Sequence, residues 1–292
     1  TDDSKTMLES RFGQNPRVRL VFADANYGVA GGRNRAFRES TGEIVFWLDS
    51  DAFIEDRKAL SGVAGRLAEL PDAEVLSFGV KMPNGHLMWP FSRPIDEWWS
   101  REFDTMRIDG CCFAVRRRVF EEVGGFAERF SSYGAEDLHF ALRVIDAGYR
   151  IVYCPTVYVI RSRAGHGRTP LQFAMHVRNM LLIPFELFPM PSGVLGAGKI
   201  AAGLFRDAWE QHQIAACFKG LLCAVAGLQS ANRHALSRKG WGTVRRLIHE
   251  DKALSRSNLK HRVRRALGYG WFYARVLLVL FPAKAAVHLL AV

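Results

Sequence analysis

The stretch Phe46-Trp47-Leu48-Asp49-Ser50-Asp51-Ala52 runs a hydrophobic strand directly into two carboxylates one residue apart. In an open α/β sheet ligands gather at the carboxyl ends of strands, which is where this pair would stand. At a strand-to-loop turn both side chains can face one ligand. Hard divalent cations such as Mg²⁺ are held by one or two carboxylates together with substrate phosphates. Alone, a D-x-D carries little, because Asp is also an ordinary turn residue and helix cap. A second acidic pair, Glu136-Asp137, opens a helix that continues Leu138-His139-Phe140. A functional reading needs these acids to face the same pocket as Asp49 and Asp51; the bland one is that they offset a helix macrodipole. A third feature is Asn26-Tyr27-Gly28-Val29-Ala30-Gly31-Gly32-Arg33-Asn34, a glycine-rich turn leading into a helix. Backbone amides at such a helix start receive anions, and Arg33 or Arg35 could assist. The letters match neither G-x-G-x-x-G nor a Walker A sequence.

These residues must be positioned by alternating strands and helices. Arg17 to Ala23 alternates polar and apolar residues, as a half-buried strand does. Gly31 to Ser40 reads as a helix behind the glycine turn, and Glu43 to Leu48 as a fully buried strand. Arg57 to Leu70 has helical spacing with Pro71 beyond its end. Val75 to Val80, Phe113 to Val115 and Tyr149 to Cys154 are further strands. Arg118 to Val123 is a short helix stopped by Gly124-Gly125, and Asp137 to Ala147 a longer one ended by Gly148. Such alternation implies an α/β sandwich with a largely parallel sheet. From about Pro170 the texture changes to successive helices: Leu171 to Phe188, Gly196 to Trp209, Ile214 to Gln229, Val244 to Asp251 and Lys260 to Leu280.

Charge divides the chain in the same place. Residues 1–159 carry 20 Lys/Arg against 24 Asp/Glu, whereas residues 160–292 carry 20 against 5, a net of +15. Basic residues fall along the apolar helices of the second half, with Trp241, Trp271, Phe272 and Tyr273 beside them. That is the composition of helices lying on an anionic membrane surface, although a soluble helical cap with a solvated basic face has similar letters. Val276 to Val292 is interrupted by Pro282, Lys284 and His288, so it reads as an interfacial or core helix pair rather than a span. The cysteines, Cys111, Cys112, Cys154, Cys217 and Cys223, form no C-x-x-C pair, which speaks against structural zinc and a disulfide framework. No helix-turn-helix, zinc-finger or RNA-recognition signature appears, so nucleic acid is not an expected partner.

The order and spacing of the three features together resemble the family 2 glycosyltransferases. The matching stretches are NYGVAGGRNRAFRESTGEIVFWLDSDA at 26–52, DGCCFAVRRRVFEEVGGFAERF at 109–130 and YGAEDLHFALRVIDAGYRIVYCP at 133–155. The resemblance implies the GT-A fold, a Rossmann-like α/β sandwich, over residues 1–165, and the letters of 166–292 give a basic, mostly helical region. It implies an inverting transfer, in which an acceptor hydroxyl attacks the anomeric carbon while a nucleoside diphosphate leaves. Asp51 would coordinate a divalent metal (Mg²⁺ or Mn²⁺), with Asp49 on the ribose or in the metal shell. Asp137, with Glu136 beside it, would be the general base, and His166 a further metal or phosphate contact. Asn26, Gly31, Arg33, Asn34, Asp109, Gly110 and Trp98 fall on substrate-binding positions. The partners implied are a nucleotide-sugar donor and a saccharide, lipid-linked or other cell-envelope acceptor, at the cytoplasmic face of the membrane with peripheral contact.

Two departures stand out. Thr1-Asp2-Asp3-Ser4 is similar to the tail of the family's D-D-G-S-x-D motif, so the resemblance implies a preceding strand–helix–strand. His139 stands where many relatives have an acid. The tryptophans between Trp89 and Trp99 either stack on sugar rings or form a buried aromatic cluster. A catalytically idle fragment acting as a membrane-surface or interaction module is the alternative reading. A nucleotidyltransferase would need a glycine-rich phosphate loop with a lysine near its start, which the sequence lacks.

Overall fold

A computed structural model describes residues 3–70, 72–130, 132–162 and 167–257. His166, the expected helix over Lys260 to Leu280 and the Val276 to Val292 stretch lie outside the described residues. The chain opens with α1 (Ser4–Phe12) and α2 (Gly28–Glu39), then β1 (Ile44–Leu48), β2 (Ala52–Phe53), α3 (Ala59–Glu69) and β3 (Ala73–Lys81). There follow β4 (Leu87–Met88), α4 (Ile95–Trp98), β5 (Phe103–Asp104), β6 (Cys112–Arg116), α5 (Arg117–Val123), α6 (Glu136–Asp146) and β7 (Arg150–Arg161). Four longer helices come last: α7 (Pro170–Leu187), α8 (Ser192–Glu210), α9 (Ile214–Gly227) and α10 (Arg238–Ser257).

The sheet has the order β1-β6-β3-β7-β2, with β4 on β3 and β5 on β7. The expected largely parallel sheet is not what forms. Only β3 and β7 pair in parallel; β1–β6, β3–β6, β2–β7, β3–β4 and β5–β7 are antiparallel. The reason is topological. β1 and β3, joined through α3, do run the same way, as a strand–helix–strand unit requires. β6 then enters between them in the opposite direction, turning one parallel neighbour relation into two antiparallel ladders. The expected strand at Arg17 to Ala23 does not form either. No strand pairs with it among the described residues, and its Val18, Val21 and Phe22 stay about 40% exposed.

Side chains alternate across β6, so Phe113 and Val115 enter one core while Cys112 and Ala114 enter the other. The first core gathers Ala30 and Phe37 of α2, Trp47 of β1, Phe120 of α5 and Phe140 of α6. The second packs Ala59, Val63 and Leu67 of α3 on Leu76, Phe78 and Val152 of the sheet. β3, buried over nearly its whole length, is the centre of this sandwich. Helix α7 begins at a capping box in which Thr169 and Gln172 bond one another's backbone, with Pro170 at the first helical position. Its Leu182, Ile183 and Leu187 join the first core, while Phe173, Val177 and Leu181 build a third with α8 and α9. Val244 and Leu247 of α10 also enter the first core.

Candidate functional site

The acidic motifs converge on one arginine. Arg33, buried on α2, donates from Nη1 to Glu136 Oε1 at 2.8 Å and from Nη2 to Asp49 Oδ1 at 2.9 Å. Its Nη2 also donates to the Gly110 carbonyl at 2.5 Å. The glycine turn, the D-x-D strand end, the segment entering β6 and the start of α6 are thereby tied through one guanidinium. Burial works against the charge on Arg33, but Asp49 and Glu136 outweigh it and hold its pKa above the usual arginine value.

Helix α2 reaches this position because it starts one turn earlier than the letters suggest. Gly28, at φ 66°, turns the chain into the helix, and its N–H donates to Asn26 Oδ1 at 2.9 Å. Gly31, Arg33 and Asn34 are therefore helical, and Ala30 and Gly31 pack inward. Asn34 clamps the turn after α5: its Nδ2 donates to the Phe126 carbonyl at 2.8 Å and its Oδ1 accepts from the Phe126 N–H at 2.9 Å. Gly125, at φ 65°, sits so close that a Cβ would lie 2.8 Å from Asn34 Oδ1.

Asp137 stands beside this hub. Its Oδ2 accepts from the Gly110 N–H at 3.2 Å and its Oδ1 from the Leu138 N–H at 2.7 Å. Burial, then the neighbouring charges of Glu136 and Asp109, push its pKa up to about 7. A carboxyl tuned to that range exchanges a proton near neutrality. Gly110 is fitted to it: a Cβ there would meet Arg33 Nη1 at 3.1 Å and Asp137 Oδ2 at 3.3 Å. Asp109 turns its own Oδ1 to the Cys111 N–H at 3.0 Å, helping to form the tight bend before β6. Burial raises the thiol pKa values of Cys111 and Cys112 well above the ordinary range, so neither is a nucleophile at neutral pH.

The D-x-D turn is fixed from two sides. The Asp49 N–H donates to the Cys111 carbonyl at 2.9 Å, and the N–H and Oγ of Ser162 donate to the Asp51 carbonyl at 2.7 and 2.8 Å. Arg161, at the end of β7, was not among the expected site residues. Its Nε lies 3.3 Å from Asp51 Oδ2 and its Nη2 3.8 Å from Asp49 Oδ2. A basic residue closing the last strand of an α/β sheet was the available signal. As a donor set, Asp49 and Asp51 offer hard carboxylate oxygens at a strand end. No third His, Cys, Asp or Glu joins a metal-sized group among the described residues. The pair fits a Mg²⁺ or Mn²⁺ site whose remaining ligands come from phosphate and water.

Trp98 is drawn into an aromatic cluster. Its ring meets Phe103 edge-on at 5.7 Å and lies against the buried Arg93, whose guanidinium is 4.6 Å from Trp98 and 3.7 Å from Phe103. Trp89, Phe91 and Tyr153 complete the cluster. Asp251 of α10 holds the loop above it, accepting from the Ser92 N–H at 2.8 Å and from Arg93 Nε at 3.1 Å.

Sequence reasoning also missed what supports the Glu136-Asp137 pair. Asn179 of α7 has no exposure at all, and its Nδ2 donates to the carbonyls of Gly134 at 2.8 Å, Tyr133 at 3.1 Å and Phe130 at 3.4 Å. Arg178 adds a bond to the Arg129 carbonyl at 3.1 Å. Seven residues on, the fully buried Glu186 accepts from Arg129 Nε at 2.8 Å and lies 3.4 Å from His139 Nε2. Burial lowers His139 to about 4, so the residue replacing an acid is neutral and built into the core. Asn179 and Glu186, two turns apart on the half of α7 richest in apolar residues, were the signal.

The chain is similar to known glycosyltransferases. Residues 1–124 match the model of "Glycosyl transferase family 2", and residues 93–164 that of "N-terminal domain of galactosyltransferase". The O-antigen chain rhamnosyltransferase WbaN of Salmonella anatum is 29% identical over 59% of this chain and 56% of its own. The N-acetylglucosaminyl-diphospho-decaprenol L-rhamnosyltransferase of Mycobacterium tuberculosis is 28% identical over 53% of this chain and 62% of its own. The chain thus spans little more than half the length of these relatives. Among solved structures, the mannosyltransferase PcManGT of Pyrobaculum calidifontis, in complex with GDP-Man and Mn²⁺, superposes with a TM-score of 0.51 at 21% identity, covering 97% of this chain and 76% of that one. Motif order, sheet architecture and sequence matches lead to the same place: residues 1–124 are similar to the family 2 glycosyltransferases, and the chain adopts the GT-A fold.

Proposed function

We propose that this protein transfers a sugar from a nucleotide-diphosphate donor to a hydroxyl group of a saccharide or lipid-linked cell-envelope acceptor, with inversion and with metal assistance. The observation that carries the reading is the convergence of Asp49, Gly110, Glu136 and Asp137 around Arg33, with Asp137 tuned to about 7. Both sequence relatives are rhamnosyltransferases of cell-envelope saccharides or their lipid carriers by name, which supports a deoxyhexose donor.

In this reading Asp137 accepts the proton of the acceptor hydroxyl as its oxygen attacks the anomeric carbon. The Gly110 N–H orients that carboxylate, and Glu136 is kept from competing for the proton by its bond to Arg33. Asp51 and Asp49 would hold the divalent cation, which supplies charge neutralisation for the departing diphosphate. Arg161, beside both carboxylates, lends further positive charge on the leaving-group side. Residues 1–165 form the catalytic unit and 166–292 a basic helical region in peripheral contact with the cytoplasmic face of the membrane. His166 is proposed as an additional metal or phosphate contact, and Asn26, Gly31, Asn34, Asp109 and Trp98 as walls of the substrate sites.

The test is a screen of UDP-, GDP- and dTDP-sugars with Mg²⁺ or Mn²⁺, following donor turnover and product anomeric configuration. Turnover of one donor, lost in Asp51→Ala and in Asp137→Asn, is expected. Retention of configuration, or unchanged rates in either variant, would refute the assigned roles.

A further inference from the structure

The outer faces of α8 and α9 are apolar where helices facing water would be charged. On α9, Phe218, Leu222 and Val225 project at helical spacing and are 55%, 73% and 65% exposed. The opposite face, Ala216, Cys217, Gly220 and Ala224, packs into the third core. Gly220 lets the two backbones nearly touch, since a Cβ there would lie 2.5 Å from the Ala174 carbonyl of α7. The helix is therefore apolar all round, with Lys219 as its one charged residue. Helix α8 extends the surface with Val194 and Leu195, 54% and 63% exposed, and the Phe205 and Phe218 rings, 6.3 Å apart, mark where the two helices adjoin. Isolated apolar residues on a surface are ordinary, but large ones clustered on two adjoining helices mark a binding face.

The chemistry of the occupant follows from the charges. Arg206 is engaged by Asp207 and Glu210 at the far end of α8. The charged residues beside the apolar ridge are Lys199 and Lys219, both exposed, within a region of net +15 over residues 160–292. A second copy of this chain would bring like charges together, which disfavours a self-interface. Large apolar side chains flanked by lysines suit the headgroup–acyl boundary of an anionic bilayer.

We propose that the α8–α9 pair seats this protein on an anionic lipid surface, with Phe218, Leu222 and Val225 entering the boundary and Lys199 and Lys219 meeting lipid phosphates. The proposal rests on the peripheral membrane contact inferred above and names the face that makes it. No helix among the described residues is long and apolar enough to cross a membrane, so seating on the surface is the contact that these helices can make.

Flotation of the whole chain with vesicles of phosphatidylcholine alone, or of equal parts phosphatidylcholine and phosphatidylglycerol, tests this. The wild type is expected to float with the anionic vesicles and much less with the neutral ones. The double variant Leu222→Glu/Val225→Glu should lower the bound fraction about tenfold. Lys199→Glu/Lys219→Glu should lower it roughly tenfold at low salt and far less at high salt. Thermal unfolding and donor turnover should be unchanged in both. Should the variants fail to fold, hydrogen exchange on the wild type replaces them: amides of 214–227 should gain protection with anionic vesicles, and unchanged protection overturns the proposal. A wild type that does not float overturns both the membrane contact and the face. Flotation undiminished in Leu222→Glu/Val225→Glu overturns the face and leaves the contact standing. A wild-type dimer dissociated by that double variant makes the ridge an interface between copies and overturns the proposal.

Discussion

Asp137 is where the cost and the use of this site meet. An ordinary Asp has a pKa near 3.8, and here burial beside Glu136 and Asp109 raises it to about 7. The folded protein holds a proton that the unfolded chain has already released between these values. Stability is therefore full below about pH 4 for this group and falls as pH rises to about 7. Asp137→Asn should raise folding stability at pH 8 by on the order of 1–3 kcal/mol, measured by denaturant unfolding. The same variant should lose about 10²–10⁴-fold in transfer rate. In the wild type, transfer should rise with pH through about 7, because the proposed role needs the ionised carboxylate; a flat profile from pH 5.5 to 8.5 would exclude Asp137 as the base. Gly110→Ala makes a narrower prediction. Its methyl would press on Arg33 and Asp137 at 3.1–3.3 Å, so kcat should fall by about tenfold with little change in donor binding measured by calorimetry. The residues of the D-x-D and E-D motifs were legible from their letters and order. Arg33 was legible only as a possible anion contact, because its role as the hub depends on pairings 16, 77 and 103 residues away.

At the scale of elements, α7 is the surprise. From sequence it opens the basic helical half, yet its Asn179, Arg178 and Glu186 hold the segment 129–139 that delivers Glu136 and Asp137. That segment bends through left-handed Gly134 and Ala135, at φ 72° and 70°, and Ala there is strained unless its neighbours fix it. Asn179→Ala should therefore depress kcat about 10–100-fold, shift the pH profile of transfer and leave donor affinity nearly unchanged. Asn179→Asp, which keeps the shape but loses the donor N–H groups, should not rescue it. Burial was readable in α7 from its apolar letters, but a single Asn in such a run does not say which carbonyls it will meet. β6 was equally readable as a strand. Its direction was not, because period-two alternation is the same read forwards or backwards.

Across the whole molecule, the charge boundary near residue 160 is not a boundary between cores. Leu182, Leu187, Val244 and Leu247 pack with Trp47, Phe113 and Phe140. Asp251, from the last described helix, fastens the loop over the aromatic cluster that contains Trp98. Asp251→Asn should leave Arg93 buried without a full counter-charge and lower stability by about 1–3 kcal/mol in urea unfolding. One cooperative transition, rather than two, should be seen, since the helices and the sheet share a core. The placement of β6 also orders events during synthesis. β1 and β3 leave the ribosome well before residues 112–116, and their facing edges have no partner until that strand arrives. At about 5–20 residues per second, the 30 residues between Lys81 and Cys112 keep those edges open for several seconds. The nascent chain is thus most prone to pairing with the wrong strand, its own or a neighbour's, in that interval. A pause in translation placed just before Cys112 would lengthen it, and one placed after Arg116 would not.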